Sequence, residues 1–249
     1  RNEHYKKFVD FVSFYQPKAF LMENVPNIIS IGSGLIKDHI LQSFNELGYH
    51  VGYKILTASD YGVPQKRKRA FFVGFKKNTN FIFPEPLGLK EVTSEQAISD
   101  LTEGSMPDGS AYPVEPQSDY QLLMRSRSNG ISSHEITNHT EQTVRIISMI
   151  PDGGNYKSLP KNLQETRKVN IAWTRLNSQK PSFTIDTGHR HHFHYKYNRI
   201  PTVRESARIQ SFPDDFCFLG SKTSQYRQVG NAVPPLLAKN IAVAIMEKL

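Results

Sequence analysis

An acidic side chain and an amide directly follow a short apolar run near the start of the chain. Residues 19–22 (Ala-Phe-Leu-Met) have the composition of a buried strand, and Glu23 and Asn24 come next. In an open α/β sheet, residues just beyond the carboxyl ends of strands lie where ligands bind. A partly shielded carboxyl group there can act as a proton donor, so Glu23 is a candidate general acid. The alternative is a strand-end glutamate that pairs with a nearby lysine or arginine.

A second candidate is the alternating run Gln-Lys-Arg-Lys-Arg at residues 65–69. Strand geometry would point Gln65, Arg67 and Arg69 to one side and the two lysines to the other. An arginine fork suits a phosphate or the carbonyl of a base, whereas lysine supplies a point charge. A solvated loop is the usual meaning of such a charge run, and the sequence leaves both interpretations open.

Imidazoles are concentrated at residues 189–194 (His-Arg-His-His-Phe-His). No carboxylate or thiolate set accompanies them in the sequence, and Arg190 inside the run disfavours a bound cation. We therefore predict no metal site, and contact with a DNA backbone or a plain surface explains the run better. The single cysteine, Cys217, stands between two phenylalanines and is predicted to be packed and inert.

Composition narrows the class of protein. The 249 residues carry 31 Lys and Arg against 23 Asp and Glu, a net charge of +8. Residues 91–120 hold seven acids and no Lys or Arg, which favours a polyanionic partner that avoids this segment. A basic protein without such a partner would have the same composition. No apolar run is long enough for a membrane span, and one cysteine permits no internal disulfide. We therefore predict an intracellular protein, cytoplasmic and at the nucleoid if it is bacterial.

Helices and strands alternate in the first third of the chain, where they would position Glu23 and the basic run. Apolar residues recur at helical spacing in two stretches and in strand patterns in three others. This order predicts an α/β sheet with crossover connections. The helices are predicted at 5–15 and 35–47, and the strands at 19–22, 51–55 and 70–75.

Regular patterning weakens between about residues 80 and 198. Proline and glycine interrupt this stretch, and short β-like runs appear between them, so we predict a loop-rich and mainly β segment. Regularity returns with Thr202 to Glu205, a Thr-x-x-Glu capping box that opens a helix. Pro234 and Pro235 open a last helix.

Four separate blocks resemble the cytosine-5 DNA methyltransferases, in the order of that family. Residues 20–25 (FLMENV) resemble its Glu-Asn-Val motif, and residues 65–69 (QKRKR) resemble its Gln-x-Arg-x-Arg motif. Residues 199–216 (RIPTVRESARIQSFPDDF) are similar to the long motif that supports the target-recognition domain. Residues 228–235 (QVGNAVPP) resemble the last motif, which returns to the cofactor site. With a variable segment between the second and third blocks, the resemblance spans nearly the whole chain.

The resemblance implies a Rossmann-like catalytic domain that depends on S-adenosylmethionine, with a smaller, loop-rich and mainly β target-recognition domain. It assigns residues 1–85 to the catalytic domain, 86–198 to the recognition domain, and 199–249 to a support helix and a return to the catalytic domain. Family members begin with a Gly-rich cofactor loop and a Pro-Cys catalytic loop, which this sequence lacks. The expectation is an incomplete catalytic domain, inactive alone: a fragment, half of a split enzyme with a second chain, or a residual non-catalytic chain.

The implied reaction is methyl transfer from S-adenosylmethionine to carbon 5 of a cytosine flipped out of double-stranded DNA, as in restriction–modification systems. A thiolate absent here would add to ring carbon 6. Glu23, as a protonated acid, would neutralise ring nitrogen 3, and Asn24 would help to fix the loop. Arg69 would hold the carbonyl at ring position 2, and Arg67 would steady the loop or a phosphate.

Further residues follow from the same resemblance. Asn231 and Ala232, on the turn before the last helix, would contact the cofactor. Runs 173–176 and 181–184 also resemble the stretch that leads into the third block. The residues implied for DNA contact are Gln65, Arg67, Arg175 and Arg190.

Two other functions stay open at this point. The chain could be a sequence-specific DNA-binding module that carries no chemistry, or a metal-dependent nuclease built on the histidine run. In the methyltransferase and DNA-binding interpretations, the acidic stretch around Asp100 would lie away from phosphate, because its carboxylates would repel it.

Overall fold

The computed structural model describes residues 4–77, 79–164, 173–186 and 192–249. Both helices and all three strands predicted for the first third of the chain are present there. The helices and strands are, in chain order, α1 (His4–Tyr15), β1 (Ala19–Asn24), α2 (Leu35–Glu46), β2 (His50–Thr57), β3 (Lys68–Phe75), α3 (Ser94–Ile98), α4 (Asp119–Arg125), α5 (Glu141–Ser148), α6 (Lys161–Gln164), β4 (Thr174–Arg175), β5 (His192–Phe193), α7 (Val203–Ile209), α8 (Lys222–Asn231) and α9 (Pro235–Met246).

The three long strands form a sheet in the order β1-β3-β2. The central strand β3 runs antiparallel to both neighbours, so β1 and β2 are parallel to each other and α2 forms the crossover between them. In this register Glu23 lies opposite Phe71 and Asn24 lies opposite Ala70. The carboxyl end of β1 and the start of β3 therefore share one edge of the sheet, which brings Glu23 close to Arg69.

Alternation along β3 gives the sheet two apolar faces. Ala70 and Phe72 point into a core formed with α1 and α2, which includes Phe20 and Phe44. Phe71 and the other odd-numbered apolar residues of β3 point into a second core that α9 covers. Because buried aliphatic and aromatic side chains each contribute about 1.5–3 kcal/mol, these two cores hold the edge of the sheet rigidly in place.

The segment after the sheet is loop-rich, as predicted, but the prediction that it is mainly β is wrong for the residues described. Its strands β4 and β5 have two residues each, whereas α3, α4, α5 and α6 have four to eight. Local capping explains the difference. Side chains of Thr93, Ser118 and Thr140 accept hydrogen bonds from backbone N–H groups at the starts of α3, α4 and α5. The polar and small residues between apolar runs therefore open short helices instead of turning between strands.

Helix α7 begins with the predicted capping box, and every one of its residues is buried. Its Arg208 contacts Asp100 and Asp214 at N···O distances of 2.7–3.2 Å, all within the protein interior. Asp100 thus belongs to a buried ion cluster that fastens the segment after the sheet to α7. Apolar residues of α3 and α4, including Ile98 and Met124, also pack in one core with α7 and α8. The domain boundaries at 85/86 and 198/199 stay predictions.

Helices α8 and α9 meet at a bend of 41°. They satisfy the length and composition expected of a membrane span only as this bent pair, and no other helix of the described ranges does so alone. Both contribute buried residues to the protein core, among them Val229 and Ile241. Between α7 and α8, Cys217 is exposed to solvent, so the prediction of a packed thiol is wrong. The neighbouring Phe218 is buried in its place.

Candidate functional site

A cleft of about 450 Å³ opens at the edge of the sheet where β1 ends and β3 begins. Residues 23–25, the pair Arg67 and Arg69, residues 184–186, and Gly230 with Asn231 line it. Five residues that the sequence singled out for chemistry therefore meet in one place. A larger groove of about 680 Å³ beside α9 is mostly apolar and contains none of them.

The acid and one arginine of the cleft form an ion pair. Arg69 Nε lies 2.8 Å from Glu23 Oε1, and the two side chains are 15% and 25% exposed. Arg69 also donates from Nη1 to the carbonyl of Lys68, which orients its guanidinium along the wall. Burial lowers the pKa of Arg69, and the Glu23 carboxylate opposes that shift. The strand-end ion pair considered as an alternative thus exists, and it faces a cavity.

Arg67 connects two other walls of the cleft, the one formed by residues 184–186 and the one formed by Gly230 and Asn231. It is 2% exposed and donates from Nη2 to the carbonyl of Gly230 at 2.9 Å and from Nη1 to that of Ile185 at 3.5 Å. Its Nε is buried without a hydrogen-bond partner. Burial, together with the positive charge of Arg69, lowers the pKa of Arg67 to about 10, so it stays charged at neutral pH. This geometry fits the predicted role of steadying a loop.

Gln65 lies behind the cleft and is fully buried. Its Oε1 accepts a hydrogen bond from the backbone N–H of Ile185 at 3.0 Å. Lys66 and Lys68 are exposed on the opposite side, so the predicted alternation of the run is confirmed. The alternation points Gln65 inward, however, and the structure gives it a scaffolding role and no surface that could contact DNA.

Two asparagines end neighbouring elements at the cleft. Asn24 Oδ1 accepts a hydrogen bond from the N–H of Val25 at 2.8 Å, which turns the chain away from β1. Asn231, the last residue of α8, is exposed at the cleft. The next residue, Ala232, does not line the cleft, and its carbonyl accepts a hydrogen bond from the side chain of Gln210 at 2.7 Å.

Arg175 has a different position from the one predicted. It is 4% exposed, and its guanidinium donates to four backbone carbonyls and to Oδ1 of Asn198. These five hydrogen bonds use every N–H of the guanidinium group, so no donor is left for a phosphate or a base. Arg175 therefore stabilises the loops around it. Arg190, the other predicted arginine of this segment, lies outside the described residues.

The histidine run is described only in part, because 187–191 lie outside the described ranges. Within the part that is described, His194 is fully buried, and its Nδ1 accepts hydrogen bonds from the N–H groups of Lys196 and Tyr197. Burial lowers the pKa of His194 to about 4 against the opposing charge of Glu205, whose Oε1 lies 3.7 Å from Nε2. The imidazole is neutral at pH 7. Among the described residues, no three His, Cys, Asp or Glu side chains are grouped as metal ligands.

Sequence reasoning missed two residues of the cleft wall, Ile185 and Asp186. The run 181–184 was noted, and its β-like pattern continues through Asp186. The hydrogen bonds Lys66 N–H to Ser182 carbonyl and Ser182 N–H to Pro64 carbonyl pair this run with residues 64–66. A partner more than a hundred residues away cannot be read from either run alone.

Known proteins resemble the chain over almost its whole length. A family model described as C-5 cytosine-specific DNA methylase matches residues 1–247. The type II methyltransferase M1.HphI of Haemophilus parahaemolyticus is 40% identical, over 99% of this chain and 61% of the relative. M.DdeI of Desulfomicrobium norvegicum is 38% identical, over 98% and 66%. The chain thus spans less than two thirds of the length of these two relatives.

Solved structures show the same likeness. A protein encoded in an E. coli prophage and described as a DNA modification methyltransferase is 26% identical, with a TM-score of 0.77, over 99% of this chain and 74% of that one. The Entamoeba histolytica methyltransferase EhMeth is 13% identical with a TM-score of 0.54, over 93% and 63%, and supports the fold alone. The predicted α/β, Rossmann-like methyltransferase fold is confirmed.

Proposed function

The chain belongs to the C-5 cytosine-specific DNA methylase family, and we propose that its cleft binds a cytosine extruded from double-stranded DNA for methylation at ring carbon 5. The observation that carries this proposal is the meeting of Glu23, Arg69 and Asn231 around one cavity. A base inside the helical stack cannot reach such a cavity, so it must be flipped out at a cost of roughly a few kcal/mol.

The cleft groups match the edge of cytosine. Arg69 can donate to the carbonyl at ring position 2, because its fork is suited to a carbonyl acceptor. Glu23, as a protonated acid, would donate to ring nitrogen 3 while its second oxygen accepts from the amine. The base edge would then replace the Arg69–Glu23 contact. Proton donation to nitrogen 3 neutralises the negative charge that a nucleophile adding to carbon 6 places on the ring.

S-adenosylmethionine is proposed to lie on the side of the cleft that Gly230 and Asn231 line, with most of its site in polypeptide beyond these 249 residues. The side-chain amide of Asn231 faces the cleft and makes no hydrogen bond within the described part of the chain. We propose that Asn231 holds part of this molecule, while Ala232 contributes the turn that presents Asn231. When bound, S-adenosylmethionine supplies the methyl group. Arg67 keeps this wall fixed relative to Glu23 through its bond to Gly230.

The nucleophile of the reaction is proposed to come from elsewhere. Cys217, the single cysteine of the 249 residues, is exposed and does not line the cleft. The thiolate would therefore belong to polypeptide beyond these residues, in the same or a second chain, and the 249 residues alone would transfer no methyl group. Two exposed features offer a surface for such a polypeptide. The outer edge of β1 is unpaired among the described strands, and on α1 the aromatic rings of Phe11, Phe14 and Tyr15 are mostly exposed.

DNA contact is proposed for the basic part of the chain after the acidic stretch. Arg190 remains a proposed contact, whereas the buried Gln65, Arg67 and Arg175 support the structure around the cleft. Asp100 is neutralised by Arg208 and Arg125 inside the protein, so it offers no charge to repel a phosphate. By analogy with its type II relatives, the protein would methylate a specific DNA sequence.

A chimera tests the proposed function. The part of the Haemophilus relative outside its match to this chain, where the family resemblance predicts the Gly-rich and Pro-Cys loops, is fused ahead of residue 1. Transfer of labelled methyl groups to DNA is then measured. We expect the chimera to methylate DNA and the 249 residues alone to be inactive. Glu23→Gln should lower the rate at least a hundredfold, the range expected of a lost general acid. Glu46→Gln, at an exposed glutamate on α2, is the control, and an active Glu23→Gln chimera would contradict the proposal.

A further inference from the structure

Two fully buried glutamines, Gln65 and Gln210, lie behind the cleft. They connect its three walls, which are formed by the basic run at 65–69, by residues 184–186, and by Gly230 with Asn231. The N–H of Ile185 donates to Gln65 Oε1 at 3.0 Å, and Gln65 Nε2 donates to Gln210 Oε1. Gln210 Nε2 then donates to the carbonyl of Ala232 at 2.7 Å. These bonds run head to tail from one wall to another, and we refer to Gln65 and Gln210 together as the glutamine relay.

Only one orientation of the relay satisfies all of its groups. If the amide of Gln210 were reversed, its oxygen would face the carbonyl oxygen of Ala232, and two acceptors would be left without a proton between them. If Gln65 were reversed, its NH₂ group would face the N–H of Ile185. Because both amides are buried, a broken link could not be replaced by solvent. The hydrogen bonds of the relay therefore have one direction, and none of them can be lost without leaving a buried polar group unsatisfied.

The relay ends next to the proposed cofactor contact. The backbone carbonyls on both sides of Asn231 accept hydrogen bonds from buried side chains. Arg67 Nη2 donates to the carbonyl of Gly230 at 2.9 Å, and Gln210 Nε2 donates to the carbonyl of Ala232 at 2.7 Å. Gln210 itself directly follows α7, the helix that Arg208 fastens to the segment after the sheet. A single buried side chain therefore lies between the ion cluster of α7 and the turn that presents Asn231.

We propose that Gln210 is a positioning residue, which sets the orientation of Asn231 and the separation between the walls at residues 185 and 231. The ligand that Asn231 holds rests on the proposed function, whereas the mechanical role of Gln210 does not. Glutamine is required here because the relay needs a donor and an acceptor on the same short side chain. Methionine has a similar size but neither group, and glutamate keeps the acceptor and loses the donor.

The mechanical role is tested by hydrogen exchange of backbone amides in the 249-residue chain. Gln210→Met should raise exchange about tenfold at residues 231–233 and at Ile185, while β1 to β3 stay unchanged. The matched control is Gln121→Met, which removes another fully buried glutamine; its amide bonds to Ser99, and neither residue lines the cleft. Unchanged exchange at Ile185 and Asn231 in Gln210→Met would overturn the proposal.

The functional consequence is tested in the chimera described above. Gln210→Met should raise the KM for S-adenosylmethionine about tenfold and lower kcat less than threefold, and Gln210→Glu should behave in the same way. Gln121→Met should leave that KM within twofold of the wild type. A normal KM in both Gln210 variants would overturn the positioning role. If the unsubstituted chimera neither binds S-adenosylmethionine nor methylates DNA, the proposed function fails, and the exchange measurement still decides the role of the relay.

Discussion

Two groups of arginines and carboxylates in this protein contain the same kinds of charge in opposite surroundings. At α7, Arg208 makes four contacts of 2.7–3.2 Å to Asp100 and Asp214, and all three side chains are fully enclosed. At the cleft, Arg69 and Glu23 share one contact of 2.8 Å and remain partly exposed to a cavity. The first group has no unused hydrogen-bonding capacity, whereas the second can exchange its contact for a ligand.

The two groups differ in how completely their charges and hydrogen-bonding groups are matched, and this indicates which of them can take part in chemistry. Taking a charge out of water costs several kcal/mol, so an enclosed cluster persists only when each charge is matched. Arg208 meets that condition: burial alone would lower its pKa, but the two carboxylates raise it above the usual value for arginine. Burial instead lowers the pKa of Arg67 to about 10, and its Nε is left without a partner beside the cavity. Hydrogen-bonding groups without a partner therefore lie beside the cavity, whereas the enclosed cluster at α7 has its charges matched.

The largest expected effect is loss of stability at α7. Arg208→Met would break the buried pairs with both Asp100 and Asp214, which costs about 3–5 kcal/mol. The arginines that remain, Arg125 at 3.3 Å from Asp100 and Arg204 at 3.7 Å from Asp214, are more distant partners. Urea unfolding measures this loss, with Arg127→Met as the control because Arg127 pairs with Asp215 at the surface. The control should change the free energy of unfolding by less than about 1 kcal/mol. Equal effects of the two substitutions would remove the distinction between the two groups.

A pH-dependent loss of stability is expected from the same region. The pKa of His194 is lowered to about 4 in the folded protein, against about 6.5 when unfolded. The unfolded state therefore takes up the proton first, so stability is complete above pH 6.5 and falls as the pH drops towards 4. The expected loss at pH 5 is about 2 kcal/mol.

Against the effect of burial, the neighbouring His194 and the Arg199 guanidinium lower the pKa of Glu205 to about 2, which adds a second loss as the pH falls from about 4.5 to 2. Urea unfolding at pH 7.5 and pH 5 measures this loss above the range in which Glu205 titrates. Burial also lowers the pKa of His134 and His139, so the contribution of His194 is the part of the loss that His194→Gln removes. His194→Gln should flatten this dependence, and His39→Gln, at an exposed histidine of α2, should leave it as it is. An unchanged slope in His194→Gln would refute this assignment.

A smaller effect is expected from Arg69→Lys in the cleft. Lysine keeps the charge near Glu23 but lacks the fork that fits a base carbonyl, so kcat/KM of the chimera should fall about tenfold to a hundredfold. The free energy of unfolding should change by less than about 1 kcal/mol, because the pair is partly exposed. Steady-state methylation and urea unfolding of the same sample provide both values. A loss of stability as large as that of Arg208→Met would place Arg69 with the scaffold.

The smallest effect is expected from the solvent side of the alternating run. Lys66 forms an exposed ion pair with Glu91 at 3.3 Å, so Lys66→Ala should change stability by less than about 0.5 kcal/mol. Arg67→Met, one residue further on, should cost more because two buried carbonyls lose their donor. Thermal unfolding compares the two variants. Equal changes would show that the alternation does not separate buried from exposed positions.

Local patterns predicted much of the fold and part of the site. Short apolar runs predicted the strand that leads to Glu23 and the strand that begins near Arg69, and the Thr202–Glu205 capping box predicted the start of α7. Burial depends on distant partners and was not predictable from such patterns. Arg175 looked like a DNA contact but is enclosed by carbonyls, and the aromatic neighbours of Cys217 suggested a packed thiol that is in fact exposed.

The most direct test of the central claim measures two properties of Glu23→Gln in the chimera, the rate of methyl transfer and the free energy of unfolding. We expect at least a hundredfold lower rate, with stability within about 1 kcal/mol of the unsubstituted protein. Undiminished methylation, or a loss of stability on the scale expected for Arg208→Met, would show that this carboxyl group is part of the scaffold and not of the chemistry.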